Sequence, residues 1–240
     1  MGRWSSGTRR KANTFRQIIL LRALNDVRLT YERSQVQSLL GPLNMIKNII
    51  LDVNDVLVTR DIKHTNKVLA DEYNLPIFLP GNRDLFEKLK VNKIKLPEFL
   101  EKCSERYGKT PKEISEIIIK LIVAHAKLHT KLITFLKSKK TENNIAILSH
   151  SNPLRNVADK QCGLFDITPN RFFSDETGYR KTEVHAFKHL LSKMNWIPEE
   201  CVFIDDKKAH TDVAESLGIK TIVFTSEDKT IKELITLFSE

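Results

Sequence analysis

Three short apolar runs in this sequence end in side chains that can take part in chemistry. The run Ile49–Leu51 is followed by Asp52, the run IAIL by Ser149, and the run CVFI by the adjacent pair Asp205 and Asp206. A carboxylate can act as a nucleophile, and carboxylate oxygens bind hard cations such as Mg²⁺. Adjacent acids after a buried strand repel each other unless a cation holds them. The pattern therefore predicts a Mg²⁺ site built from these acids.

A lysine supplies the positive charge that such a site needs. Lys181 follows the segment SDETGYR and opens the helical pattern KTEVHAFKHLL. In that position it would neutralise both a nucleophilic Asp52 and a phosphate oxygen as charge develops. Taken alone, the same lysine would be interpreted as a solvated residue at the start of a helix.

These side chains meet only if a sheet brings them to one edge. From Met45 onward, strand and helix patterns alternate, which predicts an α/β fold with a mainly parallel, Rossmann-like sheet and helices on both faces. Ligands bind at the carboxyl ends of the strands in such sheets. The apolar runs predict strands at Asn48–Asp52, Asn144–Leu148, Arg171–Phe173, Cys201–Ile204 and Lys220–Phe224. The helical patterns are Pro153–Lys160, Glu183–Met194, His210–Leu217 and Thr230–Phe238, with Gly218 as a stop signal after the third.

The segment Lys63–Lys140 departs from this alternation because it shows no strand pattern. We expect an all-helical cap at residues 63–137, inserted into an α/β core formed by 45–62 and 138–240. Thr110 followed by proline is a helix-start signal within the cap. The segment FLPGNRDLF is a candidate substrate loop, and two interpretations of its Arg83 stay open: a residue that binds an anionic group, or a surface residue.

The first 44 residues differ in composition from the rest of the chain. They hold seven Arg, one Lys and two acids, so six of the nine net positive charges lie there. Three interpretations stay open for this Arg-rich extension: an added leader or mis-assigned start, an organelle transit peptide, or a basic arm for a polyanion. The segment contains no interleaved aromatic residues, which disfavours nucleic acid as a partner.

Composition excludes several classes of protein. With 41% hydrophobic and 29% charged residues, the chain is typical of a globular protein. No apolar run approaches the ~20 residues that cross a bilayer, so we expect no membrane partner. Three cysteines in no metal-type spacing favour a reducing compartment, the cytoplasm, or an organelle if residues 1–44 are a transit peptide. The oligomeric state is left open.

The motifs in order resemble the haloacid dehalogenase-like hydrolases. The segments ILDVNDVLV, AILSHSN, GYRK and VFIDD followed by LG correspond to the four motifs of that family, and the resemblance covers nearly all of residues 45–240. LSHSN, TGYRKTE and FIDD look most like the sugar-phosphatase branch with its small helical cap. Two positions depart from that branch: Thr182 stands where proline is common, and His210 where asparagine is common.

The resemblance implies a role for each site residue. Asp52 would be the nucleophile that forms an aspartyl-phosphate, and Lys181 would orient it. Ser149 and His150 would bind the phosphoryl oxygens of a small phosphorylated substrate. The expected Mg²⁺ ligands are Asp52, the backbone carbonyl of Asn54, and a carboxylate of Asp205 or Asp206.

Asn54 occupies the position at which most phosphatases of this family have an aspartate that acts as general acid and base. An amide cannot exchange a proton near neutral pH. General acid–base catalysis typically raises a reaction rate by ~10²–10⁴-fold. The sequence therefore predicts slow turnover with a poor leaving group. Asp55 and His150 are the alternative proton donors.

Three functions follow from these residues. The leading one is a Mg²⁺-dependent phosphatase of small phosphorylated metabolites, with sugar phosphates among them. The alternatives are a metal-independent 2-haloacid dehalogenase that shares Asp52 as nucleophile, and a binding or scaffold protein that has kept the fold.

Overall fold

The computed structural model describes residues 45–79 and 83–239 of the 240-residue chain. The interpretations of residues 1–44 fall outside this part of the chain, as does the portion of FLPGNRDLF at positions 80–82. The role expected of the Arg83 side chain stays a prediction.

A five-stranded parallel sheet forms the centre of the fold, in the order β5-β4-β1-β6-β7. Its strands are β1 Asn48–Leu51, β4 Asn144–Ser149, β5 Arg171–Phe173, β6 Cys201–Asp205 and β7 Lys220–Val223. Each lies within one residue of its predicted bounds, so the predicted α/β fold is confirmed. A second, two-stranded antiparallel ribbon pairs β2 Val58–Arg60 with β3 Ala126–Leu128.

Helices connect the strands. In chain order they are α1 Ile62–Asp71, α2 Arg83–Lys90, α3 Leu96–Tyr107, α4 Pro111–Ala124, α5 Thr130–Lys139, α6 Pro153–Gln161, α7 Ser174–Thr177, α8 Val184–Met194, α9 Lys208–Glu215 and α10 Glu227–Ser239. The predicted start at His210 is two residues late for α9, and the predicted start at Thr230 is three residues late for α10. Gly218 follows α9 with a φ of +86°, a backbone conformation that glycine adopts without strain.

The central strand β1 is buried on both faces, which explains its unbroken apolar run. Ile49 and Leu51 pack into one hydrophobic cluster, and Ile50 between them packs into the cluster on the other side. This alternation follows from the two-residue period of a strand. Burial on both faces is typical of parallel sheets covered by helices.

Helices α1–α4 lie in the segment predicted to be the cap and pack into one hydrophobic cluster that includes Phe99 and Ile118. Leu154 and Ala158 of α6 belong to the same cluster, so the cap packs directly on a helix of the core. The predicted start of α4 is confirmed: the Thr110 side chain accepts a hydrogen bond from the Glu113 N–H, and Glu113 accepts one from the Thr110 N–H.

The prediction that Lys63–Lys140 contains no strand was wrong, because β3 lies within it. β3 is only three residues long and pairs with β2, which is far away in sequence. No local pattern reveals such a pairing. In addition, Leu132 and Leu136 of α5 pack into the cluster beneath the sheet. We therefore propose that the cap ends ahead of α5 rather than at residue 137.

Among the helices in the described part of the chain, none has the length and apolar character needed to span a membrane.

Candidate active site

Asp52 follows β1 directly and lies at the carboxyl edge of the sheet. Its side chain is buried, and its Oδ1 accepts hydrogen bonds from the Val53 N–H at 2.7 Å and the Ser149 hydroxyl at 2.8 Å. Ser149 is the last residue of β4, the strand beside β1. The parallel pairing therefore brings together two side chains that are 97 residues apart in sequence.

Lys181 joins two carboxylates at the centre of the site. Its Nζ lies 2.6 Å from Asp52 Oδ2 and 2.6 Å from Asp205 Oδ2, and the side chain is only 2% exposed. Burial opposes its charge, but the attraction of Asp52 and Asp205 outweighs that cost and holds the pKa of Lys181 above its ordinary value. The lysine is thus a fixed positive charge next to the predicted nucleophile.

Asp205, at the end of β6, is fully buried and uses both of its oxygens. Besides Lys181, it accepts hydrogen bonds on Oδ1 from the Lys207 N–H and from His210 Nδ1, both at 2.9 Å. Burial alone would raise its pKa, but the hydrogen bond from His210 and the charge of Lys181 hold the pKa of Asp205 well below its ordinary range.

The neighbouring acid, Asp206, is in the opposite situation. Its Oδ1 atom is buried and has no hydrogen-bond partner among the described residues. Burial raises the pKa of Asp206 to about 6, Lys207 opposes the rise, and the negative charges of Asp205 and Asp52 add to it. A buried carboxylate oxygen without a partner is costly and indicates a ligand that the protein atoms do not supply.

A divalent cation fits this donor set. Asp52, Asp205 and Asp206 each offer a carboxylate oxygen, and the three atoms lie within 4.8 Å of one another. Within residues 45–79 and 83–239, they are the one group of three acids, histidines or cysteines with such a geometry. Because all the donors are hard oxygens, the set suits Mg²⁺.

His150 lies beside the lysine and is half-buried. Its Nε2 accepts a hydrogen bond from the backbone N–H of Lys181 at 2.7 Å. Burial, followed by the charges of Lys181 and His210, lowers the pKa of His150 to about 3. The imidazole is therefore neutral near pH 7 and carries its proton on Nδ1. A neutral imidazole is a hydrogen-bond donor but a poor general acid, which argues against His150 as a substitute for the missing aspartate.

Three further residues near Asn54 were not singled out by the sequence patterns. Arg60 donates a hydrogen bond from Nη1 to Asn54 Oδ1 at 3.4 Å and forms a buried ion pair with Asp159. Arg155 lies close enough to Asp159 for their charges to interact, and its Nε is buried with no hydrogen-bond partner among the described residues. The available signal was weak: Arg155 and Asp159 are four apart on α6, which puts them on one helix face.

Two neighbouring cavities open at this site. The first, of about 230 Å³, contains the predicted chemistry and the two arginines; its walls include Asp52, Asn54, His150, Lys181, Arg60 and Arg155. The second, of about 320 Å³, extends beneath the cap, and its wall is more apolar. The walls of both include Ile62, Lys90 and Arg155, so the two cavities lie side by side.

The structure brings all the predicted site residues to one edge of the sheet: Asp52, Asn54, Ser149, His150, Lys181, Asp205 and Asp206. Their placement is therefore observed. The catalytic, substrate-binding and metal-binding roles that the resemblance implies stay predictions.

A family model described as haloacid dehalogenase-like hydrolase matches residues 13–218. The match covers most of the chain and includes every site residue. The chain belongs to the haloacid dehalogenase-like hydrolases.

Solved structures show the same fold. A haloacid dehalogenase-like family hydrolase from Porphyromonas gingivalis is 22% identical, with a TM-score of 0.67 over 82% of this chain and 99% of that one. A family enzyme from Bacteroides thetaiotaomicron, solved with magnesium and inorganic phosphate, is 22% identical, with a TM-score of 0.62 over 75% of this chain and 95% of that one. These neighbours confirm the fold; the sugar-phosphatase branch stays a prediction.

A curated relative is the drimenol cyclase drtB of Aspergillus calidoustus, which is 23% identical over 199 residues. The match covers 81% of this chain but only 37% of that protein. This chain therefore corresponds to about a third of the length of that relative.

Proposed function

We propose that this chain is a Mg²⁺-dependent phosphatase of small phosphorylated metabolites that transfers the phosphoryl group to Asp52. The observation that carries the proposal is the buried ammonium of Lys181, which lies 2.6 Å from both Asp52 and Asp205. A site of this kind neutralises the repulsion between an anionic nucleophile and an anionic phosphate. The Bacteroides enzyme solved with magnesium and phosphate supports the choice of metal and substrate.

The reaction would take place in two steps. A carboxylate oxygen of Asp52 attacks phosphorus, and the bond from phosphorus to the ester oxygen breaks. Water then attacks the phosphorus of the aspartyl-phosphate and restores Asp52. The Ser149 hydroxyl, which donates to Asp52 in this structure, and the protonated Nδ1 of His150 would donate to phosphoryl oxygens.

The metal would be held by the oxygens gathered at the sheet edge: Asp52, Asn54 through its backbone carbonyl, Asp205 and Asp206. When bound, it would supply further neutralisation of charge on the transferred phosphoryl group. Of the adjacent acids, Asp206 has the free oxygen, whereas Asp205 already accepts hydrogen bonds on both oxygens. We therefore expect Asp206, rather than Asp205, to have the oxygen that is available to bind the metal.

Phosphate release from an activated aryl phosphate, with Mg²⁺ and then with chelator, tests this function. Such a leaving group departs without protonation, so the assay does not depend on Asn54. We expect Mg²⁺-dependent release that falls at least ~10³-fold in Asp52→Asn, because the nucleophile is lost. A matched control is Asp61→Asn, which changes an acid outside the acid cluster.

The other outcomes separate the alternatives. Release of halide from a 2-haloacid without Mg²⁺ would establish the dehalogenase. No release from folded protein in either assay would favour a binding or scaffold protein. Asn54 is the residue of the site that favours this function, whereas the other site residues argue against it.

A further inference from the structure

We propose that the substrate is the diphosphate ester of an apolar alcohol, and that its terminal phosphoryl group is the one transferred. This inference rests on the proposed phosphatase function and names the substrate class. Three observations carry it: a guanidinium without an ion-pair partner in the walls of both cavities, a largely apolar cavity beside the site, and an amide at position 54.

Arg155 lies in the walls of both cavities and differs from the other cations there in having no ion-pair partner among the described residues. Arg60 is paired with Asp159, and Lys90 lies 3.2 Å from Glu87. Arg155 is a third cation in this region; Asp159, Asp52 and Asp55 act on its charge from a distance, but no ion pair with its guanidinium is formed among the described residues. Its Nε is buried without a hydrogen-bond partner among the described residues. A second phosphate would satisfy this guanidinium by charge-assisted hydrogen bonds, the interaction for which arginine is best suited.

The position of Arg155 matches a second phosphate rather than the first. Asp52 and Lys181 line the first cavity only, whereas Arg155 lines both cavities. A chain of two phosphates would place its terminal group at Asp52 and its inner group at Arg155. The organic part would then enter the second cavity.

The second cavity is suited to an apolar group. Phe78 and Phe86 meet edge to face with their ring centres 4.7 Å apart, and Ile118 and Ile122 of α4 contribute a further part of the wall. Its volume of about 320 Å³ is enough for a small ligand. Polar side chains such as Thr65 and Asn66 also line the cavity, but sugar hydroxyl groups placed on its aromatic and aliphatic part would lose hydrogen bonds to water, and that loss is costly. The cavity therefore favours an apolar alcohol over a sugar.

The amide of Asn54 is compatible with a diphosphate. Asp52 attacks the terminal phosphorus, the bond from that phosphorus to the bridging oxygen breaks, and the alkyl monophosphate leaves with the electron pair. This leaving group has a second pKa of about 6, so it needs no proton from the enzyme near pH 7. Water then forms a bond to phosphorus, the bond to Asp52 breaks, and inorganic phosphate and a proton are released.

The decisive experiment compares kcat/KM of the full chain with Mg²⁺ for decyl diphosphate, decyl phosphate, inorganic pyrophosphate and glucose 6-phosphate. We expect kcat/KM for decyl diphosphate to exceed that for decyl phosphate by ~10²-fold or more, because only the monophosphate needs a general acid. The kcat/KM for decyl diphosphate should also exceed that for pyrophosphate, which has no apolar part. Equal rates for the two decyl compounds, or a preference for pyrophosphate or glucose 6-phosphate, would overturn the proposal.

An aryl phosphate in the same assay separates the two failures. If its hydrolysis depends on Mg²⁺ and Asp52 while decyl diphosphate is not preferred, the phosphatase function stands and the substrate class is wrong. If none of these compounds is hydrolysed by folded protein, the phosphatase function fails, and the substrate class fails with it.

A series of ethyl, hexyl and decyl diphosphates tests the cavity. Burial of each methylene should raise kcat/KM about two- to fourfold until the cavity is full. Phe86→Ala should weaken this dependence, whereas Phe238→Ala, a partly buried aromatic of α10 outside the cavity, serves as the matched control. No dependence on chain length in the wild type would overturn the apolar part of the proposal.

Two variants test the anion subsite. Arg155→Gln should lower the preference for decyl diphosphate over decyl phosphate about tenfold or more, the effect of one lost charge-assisted contact. Arg155→Lys should retain more of this preference, and the exposed Arg171→Gln is the control for removal of a guanidinium. An equal fall for both substrates in Arg155→Gln would show that Arg155 only supports the fold of the site, and would overturn the subsite.

Discussion

In the proposed reaction, Asn54 determines which leaving groups the site can process. Its side-chain oxygen accepts a hydrogen bond from Arg60 at 3.4 Å, so the amide is held beside a buried cation. His150 is neutral and its Nε2 is occupied by the Lys181 N–H. Asp55 lines the same cavity but its side chain is exposed and is not fixed by a hydrogen bond among the described contacts. In the proposed reaction, the site therefore favours substrates that leave as anions.

The first prediction follows from this. Asn54→Asp should raise kcat for an alkyl monophosphate about tenfold or more, because the new carboxyl can give a proton to the leaving oxygen. Hydrolysis of an aryl phosphate should gain much less. Steady-state phosphate release with both substrates measures the effect.

Asn74→Asp is the matched control, because it adds the same charge in an exposed turn of the cap. A similar gain with both substrates would count against proton transfer and indicate a change in metal or substrate binding instead.

The second prediction concerns His150 and stability. The folded protein holds its imidazole neutral, with a pKa of about 3 against an ordinary value near 6.5, so the unfolded chain binds the extra proton first. The stabilisation is complete above pH ~6.5 and is lost as the pH falls toward 3. Between pH 7 and pH 5, the free energy of unfolding should fall about 1–2 kcal/mol more in the wild type than in His150→Gln.

Urea unfolding at the two pH values measures this difference. Glutamine can still accept the Lys181 N–H, so the contact that positions the lysine is kept. The exposed His185→Gln is the control. The same pH dependence in the wild type and His150→Gln would mean that His150 is not held neutral in the fold.

At the level of elements, α4 connects the stability of the cap to the shape of the second cavity. Its Ile118 and Ile122 line that cavity, and its first turn is held by the reciprocal hydrogen bonds of Thr110 and Glu113. Both start signals of this helix, Thr110 and the proline after it, are visible in the sequence. The ribbon of β2 and β3 was missed because its pairing is between distant segments.

The third prediction is that Thr110→Ala lowers the free energy of unfolding by about 1 kcal/mol, since an N-cap hydrogen bond is lost. Ser115→Ala is the control within the same helix: its hydroxyl donates only to the Lys112 carbonyl one turn back, and alanine has the higher helix propensity. Urea unfolding of the two variants checks this. Equal losses would mean that the capping box does not hold the start of α4.

At the level of the whole molecule, the proposed metal site joins residues from strands that are distant in sequence. Asp52 follows β1, whereas Asp205 and Asp206 lie at the end of β6. Only the folded chain brings these carboxylates within 4.8 Å, so a cation held there binds the native state in preference to the unfolded one.

The fourth prediction is that Mg²⁺ raises the thermal midpoint of unfolding, by an amount equivalent to about 2.7 kcal/mol at a hundredfold excess over Kd. Asp206→Asn should abolish this shift. Without metal, the same variant should be at least as stable as the wild type, because it removes the charge of a half-buried carboxylate whose buried Oδ1 has no partner among the described residues. Thermal unfolding with Mg²⁺ and with chelator measures both effects.

The surface variant Asp212→Asn, which removes the partner of the exposed Lys208, is the control for the loss of an acid. A Mg²⁺-induced shift that persists in Asp206→Asn would show that the cation binds elsewhere or that Asp206 is not a ligand.

The sequence by itself determined the sheet and the residues at its edge. Strands buried on both faces need unbroken apolar runs, so each strand can be predicted from its own short stretch of sequence. Parallel strands place their carboxyl ends at one edge, so Asp52, Ser149 and Asp205 were expected to meet there before any distance was known. These features depend on short-range patterns and on one rule of topology.

Only the tertiary structure decided which partners the charges have. Arg60 and Asp159 are 99 residues apart in sequence, and no local pattern pairs them. The same holds for the unpartnered oxygen of Asp206, the neutral state of His150 and the apolar cavity beneath the cap. Each of these features depends on which side chains become neighbours when the cap packs against the core. Burial then sets the charge states of those side chains.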